Sequence, residues 1–255
     1  MLYTITPSLR KKYRRILVAG DMHGDYEGFR ALKEQFDEKN DILILLGDYA
    51  DRGDAGVEII EELSEWQRRG ADNIAMLYGN HELFSAEGKP RFRPCDLLEE
   101  AERKRGSWAT FFSDTMQPFL KGLYHAALLP GEILFVHGGL SPELENRYAL
   151  TDPDEKLVTD LLWSDPVAEN ITAKFNSRRG EGVLFGEKLT RRVCSLLDVK
   201  KIIRSHQPEL AKNGPAYMHS GRVITINSTA SYFGQPHMVS ISLADPSSLE
   251  TVFLK

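Results

Sequence analysis

The sequence predicts an α/β protein whose first third forms a largely parallel sheet with crossover helices. Short apolar runs alternate there with longer amphipathic patterns of helical spacing. Two such helical patterns separate three strand patterns, which is the connection that parallel strands require. A polar motif follows each of these strands directly. The order of the elements therefore indicates the fold class, and the strand ends indicate where a functional site would lie.

The strand patterns of the first third are short and aliphatic, and the helical patterns between them have one apolar face. In the second helix, Val57, Ile60, Leu63 and Trp66 recur at helical spacing. These patterns predict strands at residues 16–19, 42–46 and 74–77 and helices at residues 26–36 and 56–69.

The rest of the chain is first helical and then mainly strand. Residues 84–124 are polar, with helices predicted over 97–105 and 108–119. We find no internal repeat and no long linker, so we expect a single domain over residues 1–255 that begins with a basic N-terminal arm, residues 1–15. The remaining predicted elements are helices at 155–163 and 186–197 and strands at 133–136, 202–203, 223–226, 238–243 and 251–254.

Composition and charge exclude several classes of protein. Hydrophobic residues make up 42% and charged residues 27%, as in ordinary globular proteins. The longest aliphatic run, residues 42–46, is far shorter than the roughly 20 residues that span a membrane. A net charge of −5 offers no broad attraction to nucleic acid. Two cysteines are too few for a disulfide scaffold or a four-cysteine zinc site.

A basic run, Arg10–Arg15, precedes the first predicted strand. The apolar stretch that follows it is too short for a secretory signal. We therefore interpret the run as a solvated basic arm and expect a cytoplasmic protein, in agreement with the low cysteine count.

Five predicted strands are each followed by a short polar motif. The motifs are GDMHG at 20–24, GDYADRG at 47–53, YGNHE at 78–82, HGG at 137–139 and RSHQ at 204–207. Because the carboxyl ends of parallel strands meet at one edge of a sheet, we expect these motifs to converge there.

The motifs supply six potential metal ligands, all of them oxygen or nitrogen donors. Such a set suits divalent first-row metals such as manganese, iron or zinc. Six ligands are too many for one ion that keeps an open position, but they fit two ions with Asp48 as a shared bridge. Two-metal sites, with ions roughly 3.5–4 Å apart, serve the hydrolysis of phosphate esters. The six residues are Asp21, His23, Asp48, Asn80, His137 and His206.

Three glycines, Gly20, Gly47 and Gly79, each stand directly before one of these ligands. At such a turn, a side chain would block a close approach, or the backbone would need a positive φ. We therefore expect tight packing or left-handed backbone at these three positions.

In this order, the motifs resemble those of the PPP family of metallophosphatases, the serine/threonine protein phosphatases. The family patterns GDxHG, GDxxDRG and GNHE are found here at 20–24, 47–53 and 79–82. The similarity extends from about residue 16 to the C-terminus. The resemblance implies the calcineurin-like metallophosphoesterase sandwich, in which two packed mixed β-sheets are flanked by helices. Further matching segments are 137–142, 161–166, 178–180, 185–186, 204–207 and 231–234.

The resemblance implies a division of the ligands between two divalent ions, with manganese expected first and iron or zinc compatible. The first ion would be held by Asp21, His23 and Asp48. The second would be held by Asp48, Asn80, His137 and His206.

The resemblance also implies how the remaining site residues act. A water or hydroxide that bridges the two ions would attack the phosphorus directly. Arg52 and Arg204 would clamp the substrate phosphate, a suitable task for guanidinium groups. His81 would protonate the leaving alkoxide, with Asp51 orienting its ring. Tyr232 would lie over the site and contact the substrate.

Some features depart from the usual family pattern. The loop 228–234, STASYFG, differs from the usual SAPNYCG, and Phe233 stands in place of the cysteine. Few residues precede the first motif, and few follow the last predicted strand. These features suggest a minimal, prokaryote-like member that acts as a monomer without a regulatory subunit.

Three functions are compatible with the motifs. The first is a phosphatase that acts on phosphoserine and phosphothreonine in proteins or peptides, with phosphotyrosine left open as a further substrate. The second is a symmetrical diadenosine tetraphosphate hydrolase, but these relatives usually lack the equivalent of Asp51 and have aspartate at the position of Glu82. The third is a non-catalytic phosphate-binding module, which the complete ligand set disfavours. We expect Arg178 and Arg179 to be a solvated pair.

Overall fold

The computed structural model describes residues 1–254 and contains fourteen strands in that part of the chain. The strands are β1 (Leu2–Thr4), β2 (Arg15–Ala19), β3 (Asp41–Leu45), β4 (Ile74–Met76), β5 (Ala126–Leu129), β6 (Ile133–Phe135), β7 (Asp165–Pro166), β8 (Ala173–Phe175), β9 (Val183–Phe185), β10 (Lys201–Arg204), β11 (Ala216–Met218), β12 (Val223–Thr225), β13 (His237–Ser242) and β14 (Leu249–Phe253).

The α-helices surround these strands. They are α1 (Pro7–Lys12), α2 (Tyr26–Gln35), α3 (Gly56–Arg69), α4 (Leu97–Arg105), α5 (Trp108–Phe111), α6 (Gln117–Lys121), α7 (Glu155–Trp163) and α8 (Glu187–Leu197). A π-helical segment, Phe112–Met116, joins α5 to α6, and 3₁₀ turns form at Asn80–Glu82 and Arg147–Leu150. Among residues 1–254, none of the helices combines the length and apolar character needed to cross a bilayer.

Two large mixed sheets form the centre of the molecule. One has the order β14-β13-β2-β3-β4, with β2, β3 and β4 parallel and β13 antiparallel to both of its neighbours, β2 and β14. The other has the order β1-β5-β6-β10-β12-β11, with β6, β10 and β12 parallel. A small third sheet has the order β7-β9-β8. The prediction of two packed mixed sheets flanked by helices is confirmed.

Alternating side chains of β2 show how the layers pack. Ile16 and Val18 point into the core between the two large sheets, where they join Phe135 and Ile203 from the second sheet. Leu17 and Ala19 point to the opposite side, which α2 to α6 cover. Because both faces of the strand are buried, its sequence is a continuous apolar run. A third core, under α7 and α8, covers the outer face of the second sheet.

The helix α3 begins without a cap from its own N-cap residue. Instead, the buried carboxylate of Glu100 in α4 accepts hydrogen bonds from the backbone N–H groups of Gly56 and Val57, at 3.2 and 3.0 Å. A carboxylate at this end also interacts favourably with the helix dipole. The contact fixes α3 and α4 relative to each other, directly behind the motif at 47–53.

The prediction that residues 1–15 form a solvated arm is wrong. Residues 2–4 are β1, which pairs in parallel with β5 at the edge of the second sheet. Tyr3, Ile5 and Tyr13 are buried in the core between the sheets. These apolar residues outweigh the basic run, whose charged ends remain largely at the surface. Arg15 forms an ion pair of 2.9 Å with Asp41.

The predicted elements of the first third agree with the structure to within one or two residues. Several short strands were missed, namely β1, β5, β7, β8, β9 and β11. These strands have two to four residues, too few to show a period of their own.

Candidate metal centre

The predicted motifs meet where the carboxyl ends of the two large sheets adjoin. The first sheet supplies the motifs after β2, β3 and β4, and the second supplies those after β6 and β10. Hydrogen bonds join the two sets directly; in one of them, the backbone N–H of His206 donates to Oδ1 of Asp21 at 2.9 Å. All six predicted ligands are buried. The expected convergence of the motifs is confirmed.

The first cluster is built around the ring of His23. Nδ1 of His23 lies 3.0 Å from the carbonyl oxygen of Ala50, to which it donates. Nε2 then carries a lone pair, and it faces Oδ2 of Asp21 at 3.8 Å and Oδ2 of Asp48 at 3.6 Å. A ligating histidine typically donates its other ring N–H to a carbonyl in this way.

The second cluster is built around the ring of His137 in the same manner. Nδ1 of His137 lies 2.8 Å from the carbonyl oxygen of Leu46 and donates to it. Nε2 faces Oδ2 of Asp48 at 3.6 Å, Oδ1 of Asn80 at 3.1 Å and Nδ1 of His206 at 3.1 Å. Oδ2 of Asp48 therefore belongs to both clusters, as a bridging ligand must.

The donor atoms fit two cations. Burial lowers the pKa of His23 to about 4 and that of His137 to about 3, so both rings are neutral at pH 7. Neutral imidazole is the form that binds a metal. Oδ2 of Asp21, which faces Nε2 of His23, is buried and makes no hydrogen bond within the described residues. Buried lone pairs that face one another are costly unless a cation lies among them.

The backbone is strained where the ligands are. Nine of the described non-glycine residues have a positive φ, and five of them belong to the predicted site. Such conformations cost about 1–3 kcal/mol each and are characteristic of functional sites. The five are His23, Asp48, Asp51, Arg52 and His206, with φ of 45°, 56°, 69°, 71° and 65°.

Gly47 shows both reasons for the residue type, and Gly79 and Gly20 show the close approach alone. Gly47 has φ of +104°, a conformation that side chains rarely allow. A Cβ on Gly79 would overlap Oδ1 of Asp48, so the absence of a side chain allows the bridging aspartate its position. At Gly20, a Cβ would lie 2.9 Å from the carbonyl oxygen of Ile226. The expectation of tight packing or left-handed backbone is confirmed.

Glu82 has a positioning role that sequence reasoning missed. Its Oε2 accepts hydrogen bonds from the backbone N–H groups of Asp48 and Gly79, both at 2.8 Å. Its Oε1 accepts another from Tyr49 at 3.1 Å. The carboxylate thus holds the backbone of the bridging aspartate against the third motif. Its position in that motif marked it as part of the family pattern but gave no sign of its partners.

The predicted pair of His81 and Asp51 is present. Nδ1 of His81 lies 2.6 Å from Oδ2 of Asp51. The other oxygen of Asp51 accepts from the backbone N–H groups of Asp96 and Leu97, at 2.6 and 2.8 Å. Burial lowers the pKa of His81, but the charge of Asp48 and the bond to Asp51 outweigh it and raise the value to about 9. The ring of His81 lies 5.0 Å from that of His23.

The structure does not place Arg204 where the phosphate-binding role requires it. Its side chain is 0% exposed. Its guanidinium donates to Oε1 of Gln207 at 2.5 Å and to Oδ1 of Asp165 at 3.3 Å. Arg204 is therefore a support for Asp165 in the interior. The sequence placed it at a strand end, but the direction of its side chain depends on the packing of the second sheet.

Arg179 lies at the surface of the site instead, against the expectation of a solvated pair. Its guanidinium makes a two-point contact with Asp165, at 2.5 and 3.2 Å. The side chain is 25% exposed and lines a cleft of about 560 Å³ together with Trp163, His206 and Tyr232. Arg178, its neighbour, is exposed and forms no ion pair among the described residues. Nothing in the local sequence distinguishes the two arginines.

The other two predicted substrate contacts lie at the mouth of the site. Arg52 is exposed. The ring of Tyr232 lies 5.6 Å from that of His23, centroid to centroid. Burial raises the pKa of Tyr232, and Arg52 beside it opposes this shift. Both residues thus border the metal ligands from the solvent side.

The fold and the paired ligand clusters define a metallophosphoesterase. Comparison with known proteins agrees, since the calcineurin-like phosphoesterase family model matches residues 14–210. The chain is also 31% identical over 231 residues to the serine/threonine-protein phosphatase PP1-delta of Caenorhabditis elegans, covering 86% of this chain and 72% of that protein. The chain belongs to the calcineurin-like phosphoesterase family and, within it, to the serine/threonine-protein phosphatases.

Further relatives and solved structures are similar over most of the chain. Another serine/threonine-protein phosphatase of Caenorhabditis elegans is 29% identical over 240 residues, which are 91% of this chain and 51% of the relative. The chain spans half to three fifths of the first such relatives. A serine/threonine phosphatase structure from Saccharomyces cerevisiae superimposes with a TM-score of 0.77 at 21% identity, covering 100% of this chain and 83% of that one.

The shared position of Asp48 predicts how metal content responds to substitution. Asp48→Asn removes the bridging charge, so we expect bound divalent metal to fall below one ion per chain. His206→Asn removes a ligand of the second cluster alone, and we expect it to lose about one ion. Elemental analysis of the dialysed proteins measures both. Retention of two ions by Asp48→Asn would contradict the bridging role.

Proposed function

We propose that this chain is a metal-dependent phosphoprotein phosphatase that hydrolyses phosphoserine and phosphothreonine monoesters. The observation that carries the proposal is the pair of ligand clusters that share Oδ2 of Asp48. The names of the relatives, serine/threonine-protein phosphatases, support the choice of substrate class.

Each part of the site has a task in this reaction. Two divalent ions held by the six ligands would supply an activated water and neutralise charge on the phosphate. Arg52 and Arg179 bind the phosphate oxygens from the solvent side, and Asp165 orients Arg179 through the two-point contact. His81 donates a proton to the departing serine or threonine oxygen, which otherwise leaves poorly. Asp51 holds the ring of His81 in the orientation for this transfer.

Finer features of the proposal concern the metal and the cell. Manganese suits the mixed oxygen and nitrogen ligands, and iron or zinc would suit them as well. Cys95 and Cys194 are both free thiols, as in proteins of a reducing compartment. A cytoplasmic location, a single domain and a monomeric state stay predictions.

A symmetrical diadenosine tetraphosphate hydrolase is the second candidate. A solved structure named "putative diadenosine tetraphosphatase" superimposes with a TM-score of 0.56 at 15% identity, covering 99% of this chain and 97% of that one, which is a likeness of fold alone. Against this candidate, Asp51 is anchored to both His81 and the start of α4. That arrangement serves protonation of a basic alkoxide, whereas a nucleotide phosphate is a good leaving group.

The two candidates are separated by phosphate release from the metal-stripped protein after Mn²⁺ is added back. A phosphothreonine peptide and diadenosine tetraphosphate are tested in parallel. We expect manganese-dependent hydrolysis of the peptide and no cleavage of the nucleotide. Preferential cleavage of the nucleotide would replace the proposal by its alternative.

His81→Asn tests the proton donor. The variant keeps a hydrogen-bonding side chain but cannot deliver the proton, so we expect kcat to fall by roughly 10²–10⁴-fold. Metal content should stay at the level of the unsubstituted protein, which elemental analysis checks. If the variant loses metal in proportion to activity, His81 acts as a ligand and its assignment as the acid is wrong.

Arg179→Ala tests the corrected phosphate clamp. Loss of a charged hydrogen bond worth about 1.5–3 kcal/mol should raise KM for the phosphopeptide by about 10–100-fold. The matched control is Arg178→Ala, which removes the same charge from the adjacent position and should change KM by less than about threefold. Equal effects in steady-state kinetics would show that only the local charge matters.

A further inference from the structure

Phe233 is an unusual surface residue next to the site. Its side chain is 98% exposed, more than any other exposed large hydrophobic residue of the described chain. It directly follows Tyr232, whose ring lies 5.6 Å from that of the ligand His23. A fully solvated aromatic ring contributes nothing to the packing of the core, so the ring of Phe233 is free to contact a bound molecule.

The backbone holds Phe233 in this exposed position. Its φ is +56°, a strained conformation for a bulky residue. Its backbone N–H donates to the carbonyl oxygen of Ala230 at 2.9 Å, and that of Gln235 donates to the carbonyl oxygen of Lys212 at 2.6 Å. Gly234 lies so close to Lys212 that a Cβ would be 2.9 Å from its Cα. The turn is thus fixed on both sides, and it directs the ring outward.

The surface next to Phe233 continues from the cleft of the metal centre. Leu210, two residues before Lys212, is 46% exposed and lines the 560 Å³ cleft together with Tyr232. Leu210 and Glu209 also line an adjoining groove of about 550 Å³, whose lining includes Phe253, which is 43% exposed. The cleft and the groove therefore meet at Leu210, and the groove also borders Lys212, which packs against the turn that carries Phe233.

We propose that Phe233 and Leu210, here called the apolar rim, bind an apolar side chain of the phosphopeptide next to its phosphorylated residue. The inference rests on the proposed phosphatase function and names a preference within that substrate class. Consecutive Cα atoms are 3.8 Å apart, so residues one or two positions from the phosphorylated residue lie about 4–7 Å along an extended peptide. Leu210 lines the cleft, and Phe233 directly follows Tyr232, which lines it too, so the position of the rim favours the substrate over an unrelated partner.

The charges that flank Leu210 in sequence agree with an apolar rather than a charged preference. Glu209 and Lys212 are both exposed there and oppose each other in sign. Neither an acidic nor a basic peptide residue would gain a net attraction from them. Contact with the aromatic ring then depends on the apolar area removed from water.

The proposal is tested with four phosphothreonine peptides. Each carries one leucine, at one of the two positions before or the two positions after the phosphothreonine. A peptide with glycine at all four positions and p-nitrophenyl phosphate complete the set. For the unsubstituted protein, we expect kcat/KM to be about 5- to 30-fold higher for at least one leucine peptide than for the glycine peptide. Hydrolysis of p-nitrophenyl phosphate measures the activity of the metal centre without any contribution from peptide contacts.

Phe233→Asn removes the ring but preserves the turn, because asparagine tolerates a positive φ. We expect this variant to reduce the leucine preference to within about twofold while its rate with p-nitrophenyl phosphate stays unchanged. Phe233→Tyr, which keeps a ring, should retain the preference. The matched control is Tyr148→Asn, which removes another exposed aromatic ring, on the 3₁₀ turn Arg147–Leu150, and should change nothing.

Three outcomes would overturn the proposal. An unsubstituted protein that hydrolyses leucine and glycine peptides equally has no such preference. If Phe233→Asn keeps the full leucine preference, other residues bind the leucine side chain. If that variant changes its oligomeric state, measured by light scattering, the apolar rim is a contact between copies of the chain. By contrast, hydrolysis of p-nitrophenyl phosphate without hydrolysis of any peptide would contradict the phosphatase function itself.

Discussion

The position of Oδ2 of Asp48 is the constraint on which the site depends. This oxygen lies 3.6 Å from Nε2 of His23 and 3.6 Å from Nε2 of His137, which belong to different sheets. Several otherwise unfavourable features serve to keep it there. The residue has a positive φ, Gly79 leaves space for its carboxylate, and Glu82 binds its backbone N–H.

The remainder of the fold stabilises this unfavourable arrangement. Buried lone pairs and left-handed backbone destabilise the ligand loops when no cation is bound. These loops leave strands that are buried on both faces, and three apolar cores fix those strands. Because close-packed cores have low compressibility and resist rearrangement, the ligands stay near one another in the protein alone.

The sequence predicted well which side chains meet at the site, because each of the six lies one or a few residues after a strand. Strand patterns and the convergence of parallel strands then suffice to bring Asp21, Asp48 and His137 together. The same reasoning did not predict the direction of the Arg204 side chain, because a strand end specifies the position of the backbone alone. Arg179 and Glu82 act through partners on other elements, which no local pattern records. The N-terminal strand was missed for the same reason, as its partner β5 lies more than 100 residues away.

A crystal structure of the manganese-loaded protein, with anomalous diffraction data collected at the manganese edge, tests the central claim most directly. The account predicts two anomalous peaks roughly 3.5–4 Å apart, with Asp48 contributing a ligand oxygen to both and His23 and His137 on opposite sides. A single peak, or two peaks without Asp48 between them, would contradict the bridging role from which the proposed chemistry follows.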